Sequence, residues 1–420
     1  MEYAKELSTK NVAKIGKTIK INLSMLIVFF LFFCNETVRS FMLPPITYMN
    51  IPFLICATFL ILKFWDINGI KVRELLLLFF LSLISFISFY YSNQSISTYI
   101  MLIANLLLPL YLFSIKINSN QALSILKGFT RIFNILIIVL IMTAILDYIS
   151  NSAIQLLMAK TIFSSSEMGK LINLEHSWGI YRFYSFLGHP LQNARYFLIF
   201  FIVNNIYAKY DKFLMKSYLI SLITMLGLIL CGSKTSIIIG LVLIVFFSNI
   251  KRYKFLYTIL IVLAIVVLIN TPLFQENLKL RFLDSMHSGD LTTGRSGLVD
   301  LLKTSGIQPN WLLGGGPDYS REVALSLNGK INNFEYPFIM LPFDYGIVGT
   351  AIIYILIFLK PLLKFLQNKQ FYIVVCFLAI TLNVNTNNGI ANLGADYFAQ
   401  LCFIIFIMIN LDPILIKKRT

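Results

Sequence analysis

Charged residues are scarce in this chain: Asp, Glu, Lys and Arg make up 13% of its 420 residues, whereas 58% are hydrophobic. A soluble globular domain carries about 25% charged residues, so this composition excludes a soluble enzyme. It also excludes a disordered chain, because such chains lack the 37 Phe residues and the many Ile and Leu residues found here. We therefore predict an all-α, polytopic membrane protein with about twelve transmembrane helices of roughly 20 residues each.

Patterns that bind metals or form disulfides are also missing. No Asp-x-Asp pair and no cluster of His and carboxylate residues offers a site for a divalent cation, so we expect neither a metal nor another cofactor. We find no internal repeat and no low-complexity tract. The five Cys residues lie in or at the ends of apolar runs, without the paired spacing of a disulfide or a zinc site: Cys34, Cys56, Cys231, Cys376 and Cys402.

The net charge of +16 arises from basic residues that lie between the apolar runs. Because they form no basic stripe on one face, they do not indicate nucleic acid as a partner. Most of them fall at the N-terminus, in the connections after even-numbered spans and in the C-terminal tail, so the positive-inside rule predicts that both termini are cytoplasmic. The first twenty residues contain five Lys residues and no small-residue cleavage site, so we expect no signal peptide to be removed.

Apolar windows of about 17 to 25 residues predict where the spans lie. The predicted spans are 22–42, 46–62, 74–92, 97–115, 128–148, 190–207, 217–231, 235–249, 255–271, 337–359, 371–388 and 396–412. The chain then divides into a cytoplasmic basic segment (1–21), spans one to nine (22–271), a long extracytoplasmic loop (272–336), and the last three spans with a cytoplasmic tail (337–420). A second outer segment covers 149–189, and a short amphipathic helix is predicted at Ser296–Ser305. All three His residues are predicted to lie outside: His176, His189 and His287.

The even-numbered helices are predicted to begin at the outer surface, where their free amides and the positive end of the helix dipole favour anions. Polar clusters meet three of these starts: Arg182–Arg195, Ser233–Ser236 and Glu335–Pro337. If the three starts converge, they form an electropositive cradle suited to a phosphate or a pyrophosphate. An ordinary interpretation stays open for each cluster, since an Arg can anchor at the interface, a Lys can lie on the surface and Ser or Thr can cap a helix.

Four other positions have both a functional and a structural interpretation. Glu335 can act as a base or as an N-cap, and the helix dipole would weaken it as a base. Asp344 falls inside a span, where a charge costs about 2.5 to 3.5 kcal/mol, so it needs a partner. A His side chain can exchange protons near neutral pH, which makes His189 a candidate, although a lone loop His is usually neither acid nor base. Gly314–Pro317 has the glycines of a phosphate loop without its Lys and Ser, which favours a flexible turn.

Four segments, taken in order, resemble the O-antigen ligase and polymerase superfamily of bacterial envelope glycosyltransferases. They are RFYSFLGHPLQNARYF at 182–197, CGSKTS at 231–236, TGRSGLVDLL at 293–302 with WLLGGGP at 311–317, and NFEYPFIMLPFDYGIVG at 333–349. They lie mainly in the second half of the chain. Their order, with a long outer loop before the tenth helix, is more specific than any single segment.

The departures from the family pattern bear on which branch this chain resembles. The Ser-Arg pair typical of the family appears as Ser233 and Lys234, which keeps the charge but loses bidentate pairing. Leu191 follows Pro190, where the family often has Asn. The ligase branch usually has a His at the position of Glu335, so the resemblance favours a polymerase over a ligase.

The resemblance implies polymerisation of polyprenyl-pyrophosphate-linked oligosaccharide repeat units outside the cytoplasmic membrane. An acceptor sugar hydroxyl attacks the anomeric carbon of the donor, and the lipid pyrophosphate leaves. Membrane lipid, a flippase and a chain-length regulator are the implied partners. The roles assigned are pyrophosphate contact for Arg182 and Lys234, weaker contact for Arg195 and Arg295, base or acceptor orientation for Glu335, proton exchange for His189, and sugar stacking for Tyr336, Trp311 and Tyr319.

Two alternatives stay open. A flippase or transporter for the same lipid-linked saccharides would also have many spans and an electropositive face, but internal pseudo-symmetry, which would favour it, is not found. A ligase of the same superfamily differs in its acceptor. Loss of a polymerase should leave single repeat units outside the membrane, loss of a flippase should leave them inside, and loss of a ligase should leave free polymer on its lipid.

Overall fold

The computed structural model describes residues 23–42, 49–92, 94–164, 166–248, 295–328, 334, 336–385, 390–391 and 396–412. Within these ranges the regular elements are helices, accompanied by two isolated β-bridges, which confirms the all-α prediction. The helices are α1 Leu23–Phe32, α2 Glu36–Met42, α3 Ile51–Asn68, α4 Val72–Tyr91, α5 Ile96–Ser114, α6 Ser119–Ile149, α7 Ala153–Lys160, α8 Glu167–Ser177, α9 Pro190–Tyr210, α10 Ser217–Cys231, α11 Lys234–Phe247, α12 Arg295–Ser305, α13 Tyr319–Asn328, α14 Pro337–Gln367, α15 Phe371–Asn385 and α16 Tyr397–Ile409.

Five of the described helices are long and apolar enough to cross a membrane: α3, α4, α5, α6 and α14. Helices α1 and α2, which meet at an angle of 82°, make a sixth if the pair counts as one broken span. The prediction of several apolar helices long enough to cross a membrane is therefore confirmed, and these helices indicate a membrane protein. The total of twelve spans stays a prediction, and the predicted span at 255–271 lies outside the described residues.

The long helices expose apolar side chains, as lipid contact requires. Only 28% of the apolar window of α4 is buried, and the exposed side chains Phe79 and Phe80 point away from the protein. An apolar surface of this extent is unfavourable in water and favourable in hydrocarbon. Helix α4 therefore lies at the rim of the bundle, with one face toward the other helices.

Helix α9 occupies the centre of the bundle. It packs against α6, α10, α11 and α15, and nearly all of its side chains are buried. Midway along it, Asn204 exchanges two hydrogen bonds of 2.7 and 3.2 Å with Asn134 of α6. Paired amides satisfy each other where no water is present, so this contact fixes α9 against α6.

Contacts between connecting segments place one set of helix ends together. Tyr181 donates a 3.0 Å hydrogen bond to Asp147 at the end of α6, and the Phe183 amide donates to Leu230 O at 2.9 Å near the end of α10. The Asn35 side chain donates to Leu187 O at 2.6 Å, which brings the break between α1 and α2 to the start of α9. We call this the Arg182 end of the bundle.

A second set of helix ends meets at the opposite end. The Lys71 amide donates to Ser114 O at 2.8 Å, so α3, α4 and α5 meet there. The Tyr210 and Tyr372 hydroxyls lie 2.7 Å apart, joining the end of α9 to the start of α15. We call this the Lys71 end. The positions of these two sets of helix ends agree with consecutive long helices that run in opposite directions.

The glycine-rich segment 311–317 docks on a break in α14. The Gly315 and Gly316 amides donate to the Phe343 and Asp344 carbonyls at 2.7 and 3.1 Å, and the Ile347 amide donates to Trp311 O at 2.8 Å. The break is at Gly346, whose φ of +66° favours glycine. Because the amides of this segment already have acceptors in the protein, it is a fixed turn and does not act as a phosphate loop.

Asp344 of α14 has its partner in helix α13. Its carboxylate accepts hydrogen bonds from the Ser320 amide at 2.7 Å and from the Ser320 hydroxyl at 3.2 Å. The side chain is fully buried, so these bonds replace the water that a carboxylate otherwise needs. Asp344 therefore holds the first turn of α13 against α14, which is a structural role.

Candidate anion-binding site

The segment before α9 folds back on the first turn of that helix. The Asn193 side chain accepts a hydrogen bond from the Ser185 hydroxyl at 2.8 Å and donates to Phe183 O and Gly188 O at 2.9 and 3.3 Å. A buried amide that bonds three positions of one loop leaves that loop little freedom. Arg182 is thereby held beside the start of α9 and the end of α10.

Arg182 already has a carboxylate partner. Its Nη1 lies 2.8 Å from Oε1 of Glu175 in α8, and both side chains are largely buried. The Nε atom of Arg182 is buried and has no hydrogen-bond acceptor among the residues that the structure describes. The predicted pyrophosphate contact of Arg182 would therefore use the part of the guanidinium that Glu175 does not occupy.

Replacing Arg182 with Met is expected to lower the free energy of unfolding by about 3 to 5 kcal/mol, because it leaves the Glu175 charge buried and unpaired. Replacing Glu175 with Leu in the same protein removes that charge, so the double variant should recover most of the loss. Chemical denaturation in detergent measures both values. A double variant no more stable than the single one would contradict the expectation.

Arg195 is buried in the second turn of α9, and none of the described carboxylates pairs with it. Its guanidinium carbon lies 3.9 Å from the centre of the Tyr397 ring, and the residue is only 4% exposed. Its Nε and Nη1 atoms have no hydrogen-bond acceptor in the described part of the chain. A stacked ring stabilises a cation by about 2 kcal/mol when desolvated, less than the cost of burying an unpaired charge. Arg195 is therefore a candidate to bind an anion.

A hydrogen-bonded network fixes the ring under Arg195. The Tyr397 hydroxyl donates to Gln192 Oε1 at 3.0 Å, and Gln192 Nε2 donates to the Tyr196 hydroxyl at 3.0 Å. Gln400 of α16 donates to the same hydroxyl at 3.2 Å. Because the network ties α9 to α16, the position of the Arg195 guanidinium is set before any ligand binds.

A second buried ion pair lies next to this network and was not predicted. Arg39 Nη1 lies 2.8 Å from Asp396 Oδ2, and that oxygen also accepts from the Glu36 amide at 3.1 Å. Asn50 donates to the other carboxylate oxygen at 3.2 Å. Both charged residues fall in predicted spans, where a charge calls for a partner, and this signal identifies them as candidates but not as a pair.

Lys234 and His189 lie at the starts of two helices. Lys234 is the first residue of α11, directly after the turn at Gly232, and it is half-buried. His189 caps α9, since its Nδ1 accepts a hydrogen bond from the Leu191 amide at 3.2 Å. Its ring also lies edge-on to Tyr184. The cap gives His189 a structural role that the sequence motif does not reveal.

Tyr181 adds a buried hydroxyl between Arg182 and α6. Burial, the charge of Asp147 and the hydrogen bond to that carboxylate all raise the pKa of Tyr181. The phenol therefore stays protonated across physiological pH. It acts as a donor that orders the segment before α9.

The aromatic residues predicted to stack on sugars lie around the start of α14. Trp311 is half-exposed and Tyr319 packs against the ring of Phe343, while Tyr336 packs against Phe338. Trp311 borders an open groove of about 490 Å³ between α12 and α14. The groove is lined by Leu302, Lys303, Gly306, Ile307, Gln308, Pro309, Trp311, Phe338, Ile339, Pro342 and Phe343.

Three predicted features cannot be placed. Glu335 and His287 lie outside the described residues, and Arg295 is the first residue of α12 with an undescribed side chain. The described residues contain no group of three or more His, Cys, Asp or Glu side chains that could hold a metal ion.

No protein-family model matches this sequence, and none of the curated proteins to which it was compared is significantly similar.

Proposed function

We propose that this chain is a membrane glycosyltransferase that polymerises polyprenyl-pyrophosphate-linked oligosaccharide repeat units at the outer face of the cytoplasmic membrane. The observation that carries the proposal is the buried Arg195, whose Nε and Nη1 atoms have no acceptor among the described residues. A guanidinium fork matches the oxygens of a phosphate, and the low dielectric around it strengthens that contact. The pyrophosphate of the lipid-linked donor is the anion that this site would take.

Contacts at the Arg182 end support Arg182 and Lys234 as two further cations near that anion. Arg182 lies on the segment folded over the start of α9, and its neighbour Phe183 bonds to α10 just before Lys234 begins α11. The starts of α9, α11 and α16 are at this end, and helix starts favour negative charge. Together they would hold the charge that develops on the leaving group, which is the main task in this reaction.

In the proposed reaction, the oxygen of an acceptor sugar hydroxyl forms a bond to the anomeric carbon of the donor. The bond between that carbon and the pyrophosphate oxygen breaks, and its electron pair leaves with the lipid pyrophosphate. The hydroxyl proton passes to a base, a role we assign to Glu335 from the sequence motif. Holding both substrates in register supplies much of the acceleration, because it makes the attack effectively intramolecular.

The groove beside Trp311 is the proposed place for the acceptor saccharide. Its volume falls in the range of ligand pockets, about 300 to 1,000 Å³. Trp311 offers an exposed ring for stacking on a sugar, and Lys303 and Gln308 offer polar groups to its hydroxyls. The groove also adjoins the first turn of α14, at Phe338 and Ile339.

The test measures polysaccharide ladders in cells that make each variant at unchanged protein level. Lys234 and Glu335 are replaced singly with Gln, and Arg182 is replaced with Met in the Glu175→Leu protein, which keeps the fold. Each change is expected to shorten the ladder, and single repeat units should accumulate outside the membrane. An exposed arginine of α6, Arg131→Gln, serves as the matched control. A full ladder in all three variants, or repeat units that accumulate inside, would contradict the proposal.

A further inference from the structure

The Lys71 end of the bundle carries a cluster of five cations from three segments. Lys71 and Arg73 stand at the start of α4, Lys116 follows α5, and Lys360 and Lys364 lie in the last turns of α14. The Lys71 amide bonds to Ser114 O, and Glu74 of α4 pairs with Lys360, so these segments are fixed against one another. We call these five residues the lysine cluster.

In the described part of the chain, the five cations of the lysine cluster outnumber the two carboxylates that act on them, Glu74 and Asp412. Glu74 is the one carboxylate within salt-bridge distance of it in the described part of the chain, and Glu74 is taken by Lys360. Asp412 acts on Lys364 through its charge. Burial, together with repulsion from Lys364, Lys360 and Lys116, lowers the pKa of Lys71 to about 8. Lys71, Lys360 and Lys364 are half-buried, and cations that repel one another and outnumber their counter-charges favour an anionic ligand.

The surface beside the lysine cluster is apolar. Val72 and Leu76 of α4 are 64% and 54% exposed, and Leu359 and Leu363 of α14 are 47% and 48% exposed. Helices α4 and α14 pack against each other and are both long enough to cross a membrane, so this surface continues along the membrane. An anion that also carries hydrocarbon chains therefore fits the site better than a free ion does.

We propose that the lysine cluster binds the phosphate headgroup of an anionic membrane phospholipid, whose acyl chains lie along α4 and α14. Lysine ammonium groups bind phosphate as point charges, and basic side chains next to membrane helices attract anionic lipid. The lipid phosphate would add negative charge where the cations of the described residues outnumber the carboxylates. The site lies at the opposite end of the bundle from Arg195 and does not depend on the proposed glycosyl transfer.

The test compares the thermal unfolding of the full chain in detergent during titration with phosphatidylglycerol, phosphatidylcholine and inorganic phosphate. Phosphatidylglycerol is expected to raise Tm saturably, whereas the other two should not. Replacing Lys71 and Lys364 together with Gln should weaken the apparent affinity for phosphatidylglycerol by about 10-fold or more. The double change to Arg keeps the charge and should retain binding.

A control variant separates this site from general charge attraction. Lys212→Gln with Lys369→Gln removes the same charge from exposed positions at the Lys71 end, and it should bind phosphatidylglycerol as the unchanged protein does. Equal losses in the two Gln variants would overturn the proposal, as would an equal rise in Tm with phosphatidylcholine. A rise in Tm with inorganic phosphate alone would overturn the lipid assignment in favour of a free anion.

Discussion

Replacing Arg195 with Met is expected to lower the rate of repeat-unit polymerisation about 100- to 1,000-fold without weakening the fold, which is the range for losing one preorganised contact to a developing charge. The fold should be as stable or more stable, because Met fills a similar space on the Tyr397 ring and removes a buried charge that no described carboxylate pairs with. Transfer between purified lipid-linked repeat units gives the rate, and thermal unfolding gives the stability. Loss of activity with a gain in stability is the mark of a residue kept for its ligand.

Two further variants make this result interpretable. Arg195→Lys keeps the charge but loses the planar fork, so it should retain only part of the activity. Arg131→Met removes an exposed Arg from α6 and should change neither quantity. If Arg195→Met lowers the free energy of unfolding as much as Arg182→Met is expected to, Arg195 has a structural role. If the Arg195→Met protein transfers sugars at the unchanged rate, the pyrophosphate site is elsewhere.

Replacing Gly346 with Ala is expected to lower the free energy of unfolding by about 1 to 3 kcal/mol from backbone strain alone, since its φ is +66°. The added methyl group would also overlap the Leu312 carbonyl oxygen, which is backbone and cannot turn aside. The 311–317 segment should then detach from α14. Limited proteolysis should cut near Trp311 in the variant and not in the unchanged protein.

The matched control for this change is Gly297→Ala in α12. A methyl group at Gly297 meets no atom within 4 Å, and the residue lies in a helix. The change should therefore stabilise the helix by about 0.5 to 1 kcal/mol, as Ala does relative to Gly. Equal effects of the two changes would show that the segment is not docked as described.

The apolar windows predicted much of the fold. The window 97–115 corresponds to α5 at Ile96–Ser114, and 128–148 falls within the longer α6. The window 190–207 predicted helix α9 but did not predict that this helix lies at the centre of the bundle. The polar residues along it, among them Gln192, Asn193 and Asn204, are the signal for that position, because such side chains need partners on every face of a buried helix.

The candidate site was less predictable, since it depends on contacts between distant segments. Asp396 pairs with Arg39, 357 residues away, and no spacing rule along a sequence identifies such a pair. Glu175 neutralises part of Arg182 from helix α8, an element that the predicted outer segment 149–189 did not specify. Helix starts indicate where an anion is favoured, but only the packed structure reveals which cation is already paired.

The contacts of α9 limit how the lipid-linked substrate of the proposed reaction would reach the protein interior. This helix is anchored at three levels: Asn193 near its beginning, Asn204 midway, and Tyr210 against Tyr372 at its last residue. Tilting it would rupture at least two of these anchors together. In the proposed reaction, a long saccharide carrier would therefore have to enter by a route that leaves α9 in place.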